Sequence, residues 1–144
     1  IHVRSTDPVT DYERELRTQM SQDKRVRLFV DTPRDDTLRA LADFDALAVP
    51  SQCLETGPLS VLEAAQAGVP VLGSDIGGIA EWLESGILGW PVRFNDANAW
   101  REALQDLPSR LASRSHTHAP VRGMLDVARD MAQTYREILA ATPV

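Results

Sequence analysis

Glu55 and Glu63 stand eight positions apart and bracket the sequence Thr56-Gly57-Pro58-Leu59-Ser60. Each ionised carboxylate offers two acceptor oxygens, so each can hold a pair of sugar hydroxyls. Gly57 and Pro58 suit the N-cap and first positions of a helix running to Ala67, and Gly68 suits its left-handed stop. The free amides and positive dipole end of such a helix favour phosphate or an electron-rich sugar oxygen. Pro58 has no N–H, which leaves Gly57, Leu59 and Ser60 as the donors. Glu63 is the only charged side chain between Thr56 and Ser74, and a helical side chain leans toward the N-terminus, which aims its carboxylate at the same mouth. The spacing alone fits equally well a solvent-facing glutamate on an apolar helix.

Other chemistry-bearing residues carry less. Cys53 adjoins the turn but has no neighbour that resembles an activating base, and it reads as a small packed thiol. Asp35-Asp36 reads as helix-start charge rather than a metal-binding acidic motif. His116 and His118 would be at best a fragment of a metal site in a polar linker, and no role is assigned to them.

The elements that must position the central stretch alternate along the chain. The strand IHVR is followed by a helix capped by Asp7 or Thr10 and running to about Met20, with Tyr12, Leu16 and Met20 in one stripe. A strand over Arg25 to Val30 comes next, then a helix capped by Asp35 or Asp36 that carries Leu38, Leu41 and Ala42. ALAVP is a strand of buried type. After the central helix come the strand PVLGS, the Gly77-Gly78 loop, the helix IAEWLES closed by Gly86, and a short edge-type strand from Leu88 to Val92 containing Pro91. Asp96 caps a helix with Trp100, Leu104 and Leu107 on one face, which Pro108 is expected to interrupt. Residues 109 to 120 form a polar linker, and a final helix from about 121 to 140 places Met124, Ala128, Met131, Tyr135 and Ile138 in a stripe expected to dock on the domain's own sheet, with a partner surface as the alternative. This rhythm predicts an α/β, Rossmann-like fold, a mostly parallel sheet with helices on both faces.

With 144 residues, 43% hydrophobic and 25% charged, the chain has the size and composition of one ordinary globular domain. A net charge of -6 gives no global attraction to nucleic acid or anionic membrane. One cysteine excludes an internal disulfide, and no apolar run approaches the roughly 20 residues of a membrane span, so a cytoplasmic location is the expectation. The first residue is not methionine, which suggests a piece of a longer protein, truncated at its N-terminus.

Glu55-x7-Glu63 within ETGPLSVLEAAQAGVPVLGSDIGGIAEWLESGILG, preceded by ALAVPS, resembles the signature of the retaining glycosyltransferases of family 4, among the glycosyl transferases group 1, which have the two-domain GT-B fold. The resemblance covers roughly residues 1 to 100. It implies that the chain is the nucleotide-sugar donor domain of such an enzyme, transferring a sugar with retention, with no cofactor beyond the donor substrate and no essential metal. Glu63 would hold the ribose hydroxyls, Glu55 would stand near the donor sugar, and the turn from Thr56 through Gly57 and Leu59 to Ser60 would approach the diphosphate and sugar. Asp31 would lie near the base, and Gly77 and Gly78 would line the same cleft.

Departures from the family pattern sharpen the expectation. The acceptor domain and the donor domain's leading strand and helix, with their Arg and Lys, have no counterpart here, and no Lys or Arg occurs between Arg39 and Arg93. Half a charge at a helix end does not balance a diphosphate in the company of Glu55, Glu63, Asp75, Glu81 and Glu84, so the isolated chain is expected to bind donor weakly and to transfer no sugar. The absent leading strand should leave IHVR to pair directly with another strand, or leave an edge through which a homodimer forms. Partners are therefore a nucleotide-sugar and the parent's N-terminal acceptor domain, with no nucleic acid. A non-catalytic protein-interaction or nucleotide-binding module of the same fold is the alternative. A phospho-receiver domain fits less well, because the early acidic pair and late lysine are missing.

Overall fold

The computed structural model describes residues 2–3, 9–113 and 121–141. Strands and helices alternate through them: β1 (His2–Val3), α1 (Asp11–Ser21), β2 (Phe29–Val30), α2 (Arg34–Leu41), β3 (Leu47–Val49), α3 (Leu59–Gln66), β4 (Val71–Ser74), α4 (Gly77–Glu84), β5 (Gly89–Val92), α5 (Ala97–Ser113) and α6 (Met124–Ala141). Every described strand pairing is parallel, and the fold is α/β and Rossmann-like. The chain divides into two compact units, residues 1–44 and 45–144.

In the first unit β1 pairs directly with β2, His2 opposite Phe29 and Val3 opposite Val30. Thr10, not Asp7, caps α1: its hydroxyl accepts from the Glu13 N–H at 3.2 Å, while Asp7 lies outside the described residues. Met20 is buried at the end of α1 whereas Tyr12, expected on the same stripe, is 74% exposed. The second strand is shorter than its apolar alternation predicts. The Asp23 carbonyl accepts from the Val26 N–H at 2.9 Å and the Asp23 carboxylate from the Arg25 N–H at 2.9 Å, so a turn consumes residues that would have extended it. The side-chain hydrogen bonds from Arg25 also pull the Asp23 carboxyl down to about 2. Pro33 occupies the N-cap of α2, which places Asp35 and Asp36 inside the first turn, where they face the positive dipole end rather than cap it.

In the second unit the strand order is β3-β4-β5, with Val49 opposite Gly73 and Ser74 opposite Val92. All four residues of β4 are buried. Leu72 faces α5, in a cluster with Val92 and Ala103 packed by Trp90, Trp100 and Leu107. Gly73, on the opposite face by strand alternation, meets Ile79 and Leu83 of α4. Helices thus cover both faces of the central strand. Full burial of Leu72 and of Val61 contributes about 1.5–3 kcal/mol each. Pro91 is exposed on β5, which pairs only with β4 among the described residues, the place a proline tolerates.

Pro58, not Gly57, is the N-cap of α3. Helix α4 begins at Gly77, two residues before the apolar pattern does, because the glycine pair itself is seated on a neighbouring loop. Pro108 does not interrupt α5, which continues to Ser113. Leu107 is packed into the Leu72 cluster, and Arg110 lies 5.7 Å from the Trp90 ring centroid and pairs with Asp106 at 2.8 Å, so contacts on both sides of the proline offset its missing hydrogen bond. Ala103 rather than Leu104 is the buried residue of this helix, and Leu104 is 50% exposed. Residues 114–120, with His116 and His118, lie outside the described residues.

Helix α6 also departs from expectation. Its predicted stripe exists, but no α6 residue is buried, and Met124, Met131, Tyr135 and Ile138 are all exposed. The helix therefore does not dock on its own sheet. A groove of about 330 Å³ along it is lined by Arg122, Val127, Asp130, Met131, Thr134 and Tyr135, and contains none of the predicted site residues. No helix among the described residues is long and apolar enough to cross a membrane.

Candidate functional site

Parallel strands bring the loops after β3 and β4 to one edge of the sheet, and the residues singled out by type and spacing lie largely in those loops. After Val49 the chain runs through Pro50 to Ser51, whose hydroxyl donates to the Glu55 Oε1 at 2.8 Å. The Ser51 Oγ also accepts from the Cys53 N–H at 3.3 Å, so one serine closes the turn and tethers the carboxylate. Glu55 and Thr56 are exposed.

The start of α4 clamps this turn from the other side. The Gly78 N–H donates to the Glu55 carbonyl at 2.8 Å. A Cβ on Gly78 would stand 2.2 Å from the Thr56 oxygen and 2.4 Å from the Thr56 carbonyl carbon, and one on Gly77 2.9 Å from the Glu55 oxygen. Gly77 and Gly78 are therefore a backbone-on-backbone seat. The turn ends at Gly57, whose φ of +149° lies in a region open to glycine and strained for other residues. Against it packs the half-buried Trp82 of α4.

Helix α3 opens immediately afterwards. Its first backbone bond is from the Val61 N–H to the Pro58 carbonyl, at 3.0 Å. The amides of Gly57, Leu59 and Ser60 donate to no acceptor among the described residues. Three donors are thus left for an acceptor at the start of α3, on the carboxyl edge of the sheet, where a helix N-terminus attracts an anion. Val61, Ala64 and Ala65 bury one side of α3, while Glu63 remains half-buried one turn into it.

Asp75 serves structure at the same edge: its carboxylate accepts from the Phe94 N–H at 2.8 Å and its own N–H donates to the Val92 carbonyl at 2.9 Å, tying β4 to β5. Asp31 belongs to the first unit, exposed at the end of β2 with φ +50°, a left-handed conformation that aspartate tolerates. Among the described residues no three His, Cys, Asp or Glu side chains converge in a way that could hold a metal. Cys53 is exposed, contrary to the packed thiol expected of it.

Two contributors escaped the reading of the sequence. Ser51 carried a usable signal, since a serine two residues before a turn commonly bonds to nearby backbone. Trp82 carried none, because an aromatic on an amphipathic helix reads as core.

Residues 7–116 match the profile of the family described as glycosyl transferases group 1. The chain belongs to that family. It is 28% identical to the D-inositol 3-phosphate glycosyltransferase of Nocardia farcinica (strain IFM 10152) over 87% of this chain and 29% of that protein. It is 30% identical to the amylovoran biosynthesis glycosyltransferase AmsK of Erwinia amylovora over 89% of this chain and 33% of that protein. The corresponding figures for the D-inositol 3-phosphate glycosyltransferase of Corynebacterium urealyticum (strain ATCC 43042 / DSM 7109) are 28%, 86% and 30%. The chain therefore spans about a third or less of the length of these relatives. All the site residues from Asp31 to Gly78 lie within the group 1 match, whereas α6 lies beyond it.

Proposed function

We propose that this chain forms the donor half of a retaining sugar transferase that uses a nucleotide-sugar. The observation that carries the reading is the row of unpaired amides at Gly57, Leu59 and Ser60, flanked by Glu55 and Glu63 at the sheet's carboxyl edge. In this reading those amides meet the diphosphate. Glu63 accepts from the paired ribose hydroxyls and Glu55, steadied by Ser51, from the donor sugar. Gly77 and Gly78 line the cleft by holding the turn. Group 1 membership and relatives named as glycosyltransferases support the reaction class.

No Lys or Arg occurs between Arg39 and Arg93, so the cationic groups that balance a diphosphate come from elsewhere in the parent protein, as does the acceptor site. The isolated chain accordingly binds donor weakly and transfers nothing; turnover by the purified 144-residue chain would refute this part.

The test is calorimetric titration of UDP-, GDP- and ADP-sugars into the full-length protein and its Glu63→Ala variant. Loss of a charge-assisted pair of hydrogen bonds worth about 1.5–3 kcal/mol lowers affinity by roughly 10- to 100-fold. Failure of every nucleotide-sugar to bind the wild-type protein would sink the donor reading. The uncovered apolar stripe of α6 favours a second reading, a protein-contact module on the same fold, which predicts that Glu63→Ala changes nothing.

A further inference from the structure

Trp82 projects from α4 onto the backbone of the candidate phosphate turn. Its Cζ2, Cη2 and Cε2 atoms lie 2.3, 2.4 and 2.9 Å from the point where a Cβ of residue 57 would stand, so the indole lies directly against the Gly57 α-carbon. Helix α4 is itself anchored: Ile79 is 1% exposed and, with Leu83, packs on Gly73 of the central strand. A rigid aromatic plate thus links the sheet to a glycine held at φ +149°. The turn has two other fixings, the Gly78 N–H bond to the Glu55 carbonyl and the Ser51 hydroxyl bond to the Glu55 carboxylate. Both hydrogen bonds are made at Glu55, and the Gly77–Gly78 backbone packs against Thr56; Trp82 supports the Gly57 α-carbon at the far end of the turn, from which the unpaired amides of Gly57, Leu59 and Ser60 start.

We propose that Trp82 is a positioning residue that pre-organises the Gly57 turn for a diphosphate, acting through the Gly57 backbone rather than by touching the ligand. This rests on the donor-site reading above and adds to it the element that sets the amide geometry. Loop amides bind an anion well only when their orientation is fixed before the ligand arrives, because ordering them otherwise subtracts from affinity. A side chain that reached only the α4–β4 interface would keep the fold and release the turn.

The experiment uses the full-length protein with UDP, GDP and ADP as probes, the one that binds being carried forward with its matching nucleoside. Trp82→Ala is expected to weaken the nucleoside diphosphate about 5- to 20-fold while leaving the nucleoside, followed by ligand-detected NMR, within about twofold, and Trp82→Phe to restore part of the loss. Thermal melting reports any general loss of structure, which would weaken both ligands together. Should Trp82→Ala fail to fold, 5-fluorotryptophan labelling of the otherwise wild-type protein gives an independent readout, the Trp82 fluorine signal being assigned by its loss in Trp82→Phe. That signal shifts on saturation with the diphosphate and not with the nucleoside. Unchanged diphosphate affinity in a folded Trp82→Ala variant, equal weakening of both ligands, or a fluorine signal indifferent to the diphosphate overturns the positioning role alone. Absence of diphosphate binding by the wild-type protein overturns the donor-site reading, and the inference with it.

Discussion

Helices α3 and α6 answer the same physical requirement in opposite ways. α3 has eight residues, small side chains and a weak stripe, yet Val61, Ala64 and Ala65 are buried within it and its first turn lies at the candidate site. α6 has 18 residues and the more regular apolar stripe, yet buries none of them. Amphipathic spacing states only that one face needs a cover; it does not say where the cover is. Small residues state something else, that another part of the chain can come close, and around α3 something does. The site is built where alanines and glycines let backbone approach backbone.

The sharpest way to break this contrast is to add one methyl group in each region. At Gly78 a Cβ would meet Thr56 backbone atoms at 2.2 and 2.4 Å and the Gly57 nitrogen at 2.7 Å, none of which can rotate away. Gly78→Ala is therefore expected to cost about 3 kcal/mol in chemical denaturation, the upper part of the overpacking range. At Gly123, just before α6, the nearest atom to a Cβ is the Asp126 carboxylate oxygen at 3.6 Å, and Gly123→Ala should cost below about 1 kcal/mol. Similar costs at the two positions would show that the turn yields as freely as the α6 end.

Removing methyl groups tests the same difference from the other direction. Val61 is fully buried, so Val61→Ala deletes packed volume and should lower stability by about 2 kcal/mol, transfer and cavity contributions together. Met131 is 52% exposed, and Met131→Ala should change stability by less than about 0.5 kcal/mol. A loss at Met131 comparable to that at Val61, measured on the 144-residue chain by urea denaturation, would mean that α6 is covered in solution.

Much of this contrast was legible in the sequence and part of it was not, for reasons that can be named. The alternation of strands and helices, the left-handed glycine after α3, now Gly68 at φ +72°, and the Asp96 cap of α5, accepting from the Asn98 and Ala99 amides at 3.0 Å, are local rules, and local rules can be read from neighbours in the chain. The passage of α5 through Pro108 could not, because it depends on Trp90 and Leu72, which are distant in sequence. The turn at Asp23 competed with an alternation that read as strand from Arg25 to Val30, and two hydrogen bonds decided the outcome. At the site, Glu55, Glu63 and the Gly57 turn stood out by type and spacing. Ser51 and Trp82 act through contacts with those residues, and contacts are what a single sequence conceals.

The smallest effect sharpens the comparison most, because it asks whether α6 belongs to the cooperative fold at all. The Asp126 carboxylate accepts from the Gly123 N–H at 3.1 Å and sits in the first turn of α6, where a negative charge also meets the helix dipole. Asp126→Ala removes both interactions, worth about 1 kcal/mol together. In a helix with buried side chains that loss would lower the global unfolding free energy. With no α6 residue buried, the helix can open by itself, so the loss should appear as local fraying. Amide exchange at residues 124–127 is then expected to quicken about fivefold while the global denaturation midpoint stays in place. A midpoint that falls by the full equivalent of the cap would place α6 inside the same cooperative unit as α3, and the difference between the two helices would be one of exposure alone.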